Sequence, residues 1–138
     1  YGGKITTYRH LSEEAVDRLA ERLPALAGPA WTKTRPLPGG DFPVDGAPAL
    51  KAELRSRYAF LSEDDADRIA KAYGTRAHEW LARDRGRDFG GGLSQAEVDY
   101  LRAEEWAQTA DDILWRRSKL GLRLDAAQQS ELRDYLGA

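Results

Sequence analysis

The chain has 138 residues, 41% of them hydrophobic, enough for one domain plus a leader and too few for two full domains. Its 21 basic and 23 acidic residues leave a formal charge of −2, so it carries no broad field for a nucleic-acid backbone or an anionic lipid surface. With no cysteine and only two histidines, disulfides, thiolate catalysis and Cys-ligated zinc or iron–sulfur centres are excluded and no metal site is expected.

No apolar run approaches the roughly 20 residues that cross a bilayer, and no basic segment followed by an apolar stretch reads as a secretory signal. The chain itself is therefore expected to be soluble. It contains no methionine and begins Tyr1-Gly2-Gly3, which points to a piece of a longer protein.

Taken in chain order, residues 7 to 23 place Tyr8, Leu11, Ala15, Leu19 and Leu23 at the spacing of one helical face. Pro24 ends that helix. All six prolines then fall between Pro24 and Pro48, together with Gly28, Gly39, Gly40 and Gly46, so residues 24–48 are expected to be a connector. Leu50, Leu54 and Tyr58 predict a helix over 47–58.

Beyond it, four helix starts are marked by a short polar residue with a carboxyl or amide three positions on: Ser62 with Asp65, Ser94 with Glu97, Thr109 with Asp112, and Asp125 with Gln128. Leu93 and Val98 flank the Ser94 start as a hydrophobic staple. Gly74 is the expected end of the Ser62 helix, whose buried stripe is Ile69, Ala70 and Tyr73. A short helix is expected around Trp80 and Leu81. No strand alternation or hairpin turn stands out. The fold expected is all-α, a small orthogonal helical bundle preceded by a helix and a Pro/Gly-rich connector.

Two stretches could carry chemistry. Paired glycines in Gly2-Gly3-Lys4-Ile5-Thr6-Thr7-Tyr8-Arg9 lead into the first helix, whose start offers unpaired N–H donors and a positive dipole end to an anionic or electron-rich ligand. Thr6 or Thr7 acting as an ordinary cap is the plainer alternative. From Glu104 to Leu122, acidic residues gather at the start of the Thr109 helix and Arg116, Arg117 and Lys119 at its end. That order complements the helix dipole, and a phosphate site is the competing reading. Trp106 and Trp115 are expected to be core or interface anchors. Gly90-Gly91-Gly92 lacks the Gly-Lys-Ser/Thr of a phosphate loop and is expected to be a hinge, Asp64, Asp65 and Asp67 do not fit a calcium loop, and His10 and His78 are expected to be surface or packing residues.

Both stretches, in this order and at this separation, resemble the carboxy-terminal third of the FAD-dependent glycerol-3-phosphate dehydrogenases and the related alpha-glycerophosphate oxidases. The resemblance also covers Trp31 with Thr32, Leu37-Pro38-Gly39-Gly40, Arg57-Tyr58 with Phe60-Leu61, Ala72-Tyr73-Gly74 and Glu97-Val98-Asp99-Tyr100-Leu101. Its most specific stretch is Asp111-Asp112-Ile113-Leu114-Trp115-Arg116-Arg117-Ser118-Lys119-Leu120-Gly121, in which Ser118 stands where the family usually has threonine.

The resemblance implies a terminal flavin-side loop and helix of the FAD domain over 1–23, a connector over 24–48 and a C-terminal helical cap domain over 49–138. It implies that Gly3, Lys4, Ile5 and Thr6 sit beside the flavin of the full-length parent, and that Lys4 pairs with either the substrate phosphate or the flavin's pyrimidine end. The parent would oxidise glycerol 3-phosphate to dihydroxyacetone phosphate and pass electrons to quinone, or to oxygen in the oxidases. No catalytic residue is expected in this chain, which alone would be inactive and hold no FAD. Its implied partners are the FAD domain of the same polypeptide and a second copy of the parent as a homo-oligomer, and not nucleic acid. A cytoplasmic location follows, the parent lying peripherally on the inner face of the plasma membrane. Richness in alanine, arginine and glycine suggests a bacterial origin. Two readings compete: a stand-alone helical module binding an anionic partner through Arg116, Arg117 and Lys119, and a purely structural brace for the parent.

Overall fold

In the computed structural model, which describes residues 4–137, the chain divides between Leu37 and Pro38 into two units. The first begins with a 3-10 turn, Ile5–Thr7, that runs directly into helix α1, Tyr8–Ala20. Ion pairs one turn apart, Arg9 with Glu13 at 2.9 Å and Arg18 with Glu14 at 2.7 Å, support its polar side. The Leu23 N–H closes on the Leu19 carbonyl at 2.8 Å, and Pro24 opens a short 3-10 turn, Pro24–Leu26, where the helix cannot continue. The expected apolar face is present, yet Tyr8, Leu11, Leu19 and Leu23 are all exposed, and none of the described residues of α1 is buried. The Thr32 hydroxyl donates to the Glu13 carboxylate, folding the segment after Pro29 back onto α1. A half-open cavity of about 410 Å³ lies between them, lined largely by apolar groups that include Val16, Leu26 and Trp31.

The second unit holds the core. Helices α2 (Ala47–Arg57), α3 (Glu63–Tyr73), α4 (His78–Leu81), α5 (Gln95–Glu104) and α6 (Ala126–Leu136) are joined by a π-helix, Asp112–Arg117, between α5 and α6. The start signals operate as expected: Ser62 accepts from the Asp65 N–H at 3.0 Å, and Asp125 and Gln128 form a reciprocal capping box. Leu50, Leu54 and Tyr58 bury the face of α2, and Ile69, Ala70 and Tyr73 that of α3, as their spacing predicts. Every buried hydrophobic residue described lies between Leu50 and Leu132. The protein is all-α in its architecture.

The sequence shows no strand signal, but a two-stranded antiparallel hairpin precedes α5, β1 (Asp88–Gly90) with β2 (Leu93–Ser94). Strands of two and three residues are too short for alternation to register. Gly90, Gly91 and Gly92 form its turn rather than a hinge, with φ of +92°, +58° and +82°. Side chains fill the space around them: a Cβ on Gly90 would lie 2.1 Å from Gln128 Nε2, and one on Gly92 2.1 Å from Asp65 Oδ1. The turn is a packed junction of α3 and α6 with no room to swing.

A second junction explains two short motifs at once. Gly39, at φ +82°, lies against Gly74 at the end of α3, and the Thr75 N–H donates to the Gly39 carbonyl at 3.1 Å. A Cβ on Gly74 would come within 1.8 Å of the Gly39 oxygen, and one on Gly39 within 2.3 Å of the Tyr73 oxygen. Main chain therefore crosses main chain, and the Thr75 hydroxyl adds a bond to Asp41 beside the crossing.

Candidate functional site

The sequence-predicted site residues open the first unit. Lys4 is extended, with φ −63° and ψ +136°, and Ile5 and Thr6 begin the 3-10 turn that feeds α1. All three side chains are exposed, Ile5 at 85%. Gly3 lies outside the described residues. Thr7 does not cap the helix: its hydroxyl and its N–H both donate to the Lys4 carbonyl at 2.9 Å, and among the described residues no side chain accepts from the first helical N–H groups. The start of α1 thus combines an exposed cation at Lys4, an exposed apolar side chain at Ile5 and a helix end without a side-chain acceptor. Such an end attracts negative charge and suits the edge of a flat, electron-rich ring. By that measure Lys4, Ile5 and Thr6 fit a flavin neighbour.

In the second unit, the basic residues at the end of the Thr109 segment are each engaged locally. Arg116 pairs with Asp112 one turn back, Arg117 Nε donates to the Glu105 carbonyl at 2.8 Å, and Lys119 donates to the Trp115 carbonyl. Each bond ties one donor of the side chain to its own segment, which is a structural use of the charge. Asp112 is the anchor of this segment, accepting from the Gln108 and Thr109 N–H groups at 3.1 and 2.9 Å and from the Thr109 hydroxyl. Main-chain donors from Thr109 and Gln108 hold its carboxyl well below the usual carboxylate range.

Ser118 donates from its hydroxyl to the Ile113 carbonyl at 2.7 Å and accepts from the Leu120 N–H at 3.2 Å. The hydroxyl, which serine and threonine share, is what the position uses. Neither Trp106 nor Trp115 is a core residue: Trp115 lies over Gly121 at the surface, and Trp106 stands out in solvent.

One ionic group escaped the sequence reading. Glu97, expected to close a capping box with Ser94, is fully buried and faces the other way. Ser94 still accepts from the Glu97 N–H at 3.4 Å, but the carboxylate takes a two-point contact from Arg68, at 2.6 and 2.9 Å, and the Tyr73 hydroxyl at 2.5 Å. Arg68 also donates to the Gly92 carbonyl at 3.3 Å, so the group fastens α3, α5 and the hairpin turn together. Burial and the Glu97 charge push the Tyr73 phenol well above its usual pKa. Only an arginine on the polar side of α3 hinted at it. Among the described residues no cluster of His, Cys, Asp and Glu could hold a metal ion, and no helix is long and apolar enough to cross a membrane.

An all-helical domain with its own core, preceded by a short unit whose helix face is uncovered, is the class that the structure defines. A family model described as the C-terminal domain of alpha-glycerophosphate oxidase matches residues 30–133, and the chain belongs to that family. The chain is 50% identical over 141 residues to a glycerol-3-phosphate dehydrogenase of Pseudomonas aeruginosa, covering 99% of this chain and 27% of the relative. It is 43% identical to the aerobic glycerol-3-phosphate dehydrogenase of Escherichia coli, over 99% of this chain and 28% of that one. The D-erythritol 1-phosphate dehydrogenase of Brucella abortus is 38% identical, over 94% of this chain and 27% of its own length. The chain therefore spans about a quarter of the length of these relatives.

Proposed function

We propose that the chain is the carboxy-terminal part of an FAD-dependent dehydrogenase that oxidises glycerol 3-phosphate to dihydroxyacetone phosphate and passes the electrons to quinone. The observation that carries this reading is the 50% identity to a glycerol-3-phosphate dehydrogenase across 99% of the chain. The uncapped start of α1 supports it, because Lys4, Ile5 and Thr6 stand where a ligand can reach them. On this reading residues 1–23 close the FAD domain, 24–48 connect, and 49–138 form the cap. The exposed face of α1 then packs on the FAD domain of the same polypeptide.

FAD, when bound, supplies the acceptor for the hydride of the substrate. The residues of this chain bind and orient. Thr6 and Ile5 present the helix start to the flavin edge, together with Gly3, and favour negative charge there. Lys4 supplies a point charge for the substrate phosphate. The remaining catalytic groups lie in the other three quarters of such an enzyme, so this chain alone is inactive and binds no FAD. The parent works in the cytoplasm, held peripherally at the inner face of the plasma membrane of a bacterium.

The test compares the full-length parent with its Lys4→Ala variant, following flavin absorbance and reduction of the bound flavin by glycerol 3-phosphate. A variant reduced about a hundredfold more slowly at normal flavin content supports the reading. An unaffected variant removes Lys4 from the site, and a parent without flavin overturns the assignment. D-Erythritol 1-phosphate, offered in the same assay, reads out how long a polyol the site accepts.

A further inference from the structure

Thr7 makes a bond that α1 does not need. A threonine ahead of a helix ordinarily lends its oxygen to the orphan N–H groups of the first turn. Here the hydroxyl donates instead, at 2.9 Å, to the Lys4 carbonyl, which already accepts from the Thr7 N–H at 2.9 Å. For the helix the second bond is redundant, because the first closes the 3-10 turn by itself. For the Lys4–Ile5 peptide it is not. That unit is planar, so one bond leaves it free to rock about the bond direction, and a second, arriving from another atom, stops it. Two donors on one oxygen thus hold the ψ of Lys4, +136°, from the helix side.

The sequence explains why the restraint has to come from that side. Gly2-Gly3 precedes Lys4, and glycine restrains its neighbours least of all residues. Ile5 and Thr6 have exposed side chains and offer no hold. The Lys4 side chain is exposed as well and enters no ion pair among the described residues, so its long flexible stem is aimed by the main chain it leaves. Among the described residues the Thr7 hydroxyl is the one side-chain group bonded to that main chain.

We propose that Thr7 is a positioning residue for Lys4: its hydroxyl holds the Lys4 peptide so that the ammonium group meets the phosphate of a polyol phosphate substrate. The role rests on Lys4 being the partner of that phosphate, and Thr7 acts only through it.

The test uses the full-length parent with Thr7→Val, which keeps the shape and removes the donor, and with Thr7→Ser, which keeps the donor. Thr7 is exposed, so Thr7→Val leaves no buried group unpaired and the fold is expected to survive it. Turnover of glycerol 3-phosphate gives KM and kcat, and calorimetry gives the dissociation constant of dihydroxyacetone phosphate. Thr7→Val is expected to raise KM and that dissociation constant about tenfold at unchanged flavin content, with kcat within about threefold of the wild type. Thr7→Ser should stay within about twofold on every measure. In a Lys4→Ala background Thr7→Val should add less than about a twofold loss, since its effect passes through the missing side chain.

An equal loss in both backgrounds overturns the proposal, because Thr7 then acts through the Ile5 and Thr6 N–H groups or through the fold. So does a Thr7→Val parent that binds like the wild type, or a Thr7→Ser parent as weak as Thr7→Val. Normal binding by Lys4→Ala marks a different failure, that of Lys4 as the partner of the phosphate, and it removes the role of Thr7 with it.

Discussion

Glu97 is where a single side chain decides most. A carboxyl group with no exposed surface needs partners, and Arg68 and Tyr73 supply them, so removing one partner strands the other. Arg68→Met should therefore lower stability by about 3–5 kcal/mol. The double variant Arg68→Met/Glu97→Leu should recover part of that loss, since an apolar pair of similar volume avoids the desolvation of both charges but leaves the buried Tyr73 hydroxyl without its acceptor. Urea unfolding of the three proteins checks both statements, and a double variant no better than Arg68→Met would refute the account. Ser118 offers a milder case. Ser118→Ala should cost about 1 kcal/mol by releasing the Ile113 carbonyl and the Leu120 N–H, whereas Ser118→Thr should lie within about 0.5 kcal/mol of the wild type.

The elements differ in how far the sequence announces them. The helices of the second unit are legible because apolar spacing and cap residues agree, as at Ser62 with Ile69, Ala70 and Tyr73, and again at Asp125 with Gln128. The hairpin is not, because its strands are shorter than one alternation and its turn depends on Gln128 and Asp65, which are remote in sequence. The rotation of Glu97 away from its capping position is hidden for the same reason: its partner Arg68 lies 29 residues away. The leader stands out in the sequence as a motif, paired glycines running into a helix start. Its uncapped state does not, since Thr7 reads as a cap and instead donates its hydroxyl to Lys4.

The π-helix segment rests on an ionised Asp112, and this sets a pH dependence. Its folded pKa lies below the unfolded value near 3.8, so the stabilisation is fully present above that value and is lost as pH falls through it and below. The Tm gap between the wild type and Asp112→Asn should be constant from neutral pH down to about pH 5 and close on further acidification. Calorimetry across that range checks it, and a gap that does not narrow would argue against an ionised anchor.

At the scale of the whole molecule, the core is unevenly shared. No described residue before Leu50 is both hydrophobic and buried, while the second unit buries residues from every one of its helices. Brief trypsin digestion should therefore cut first at Arg22 or Lys33, leaving a resistant product that begins at Thr34 and keeps the helical circular dichroism of the second unit, because the Arg35–Pro36 bond resists the protease. Equal loss of both units would show that the core needs the first for its stability.

The crossing of Gly39 over Gly74 also bears on how the protein changes over generations. Any base change that replaces glycine adds at least a Cβ, and neither position has a smaller residue left with which to accommodate a change at the other. The two cannot drift in concert. Among relatives that keep the crossing both columns should stand still, so this close passage of main chain over main chain is a contact that sequence covariation has no means of detecting.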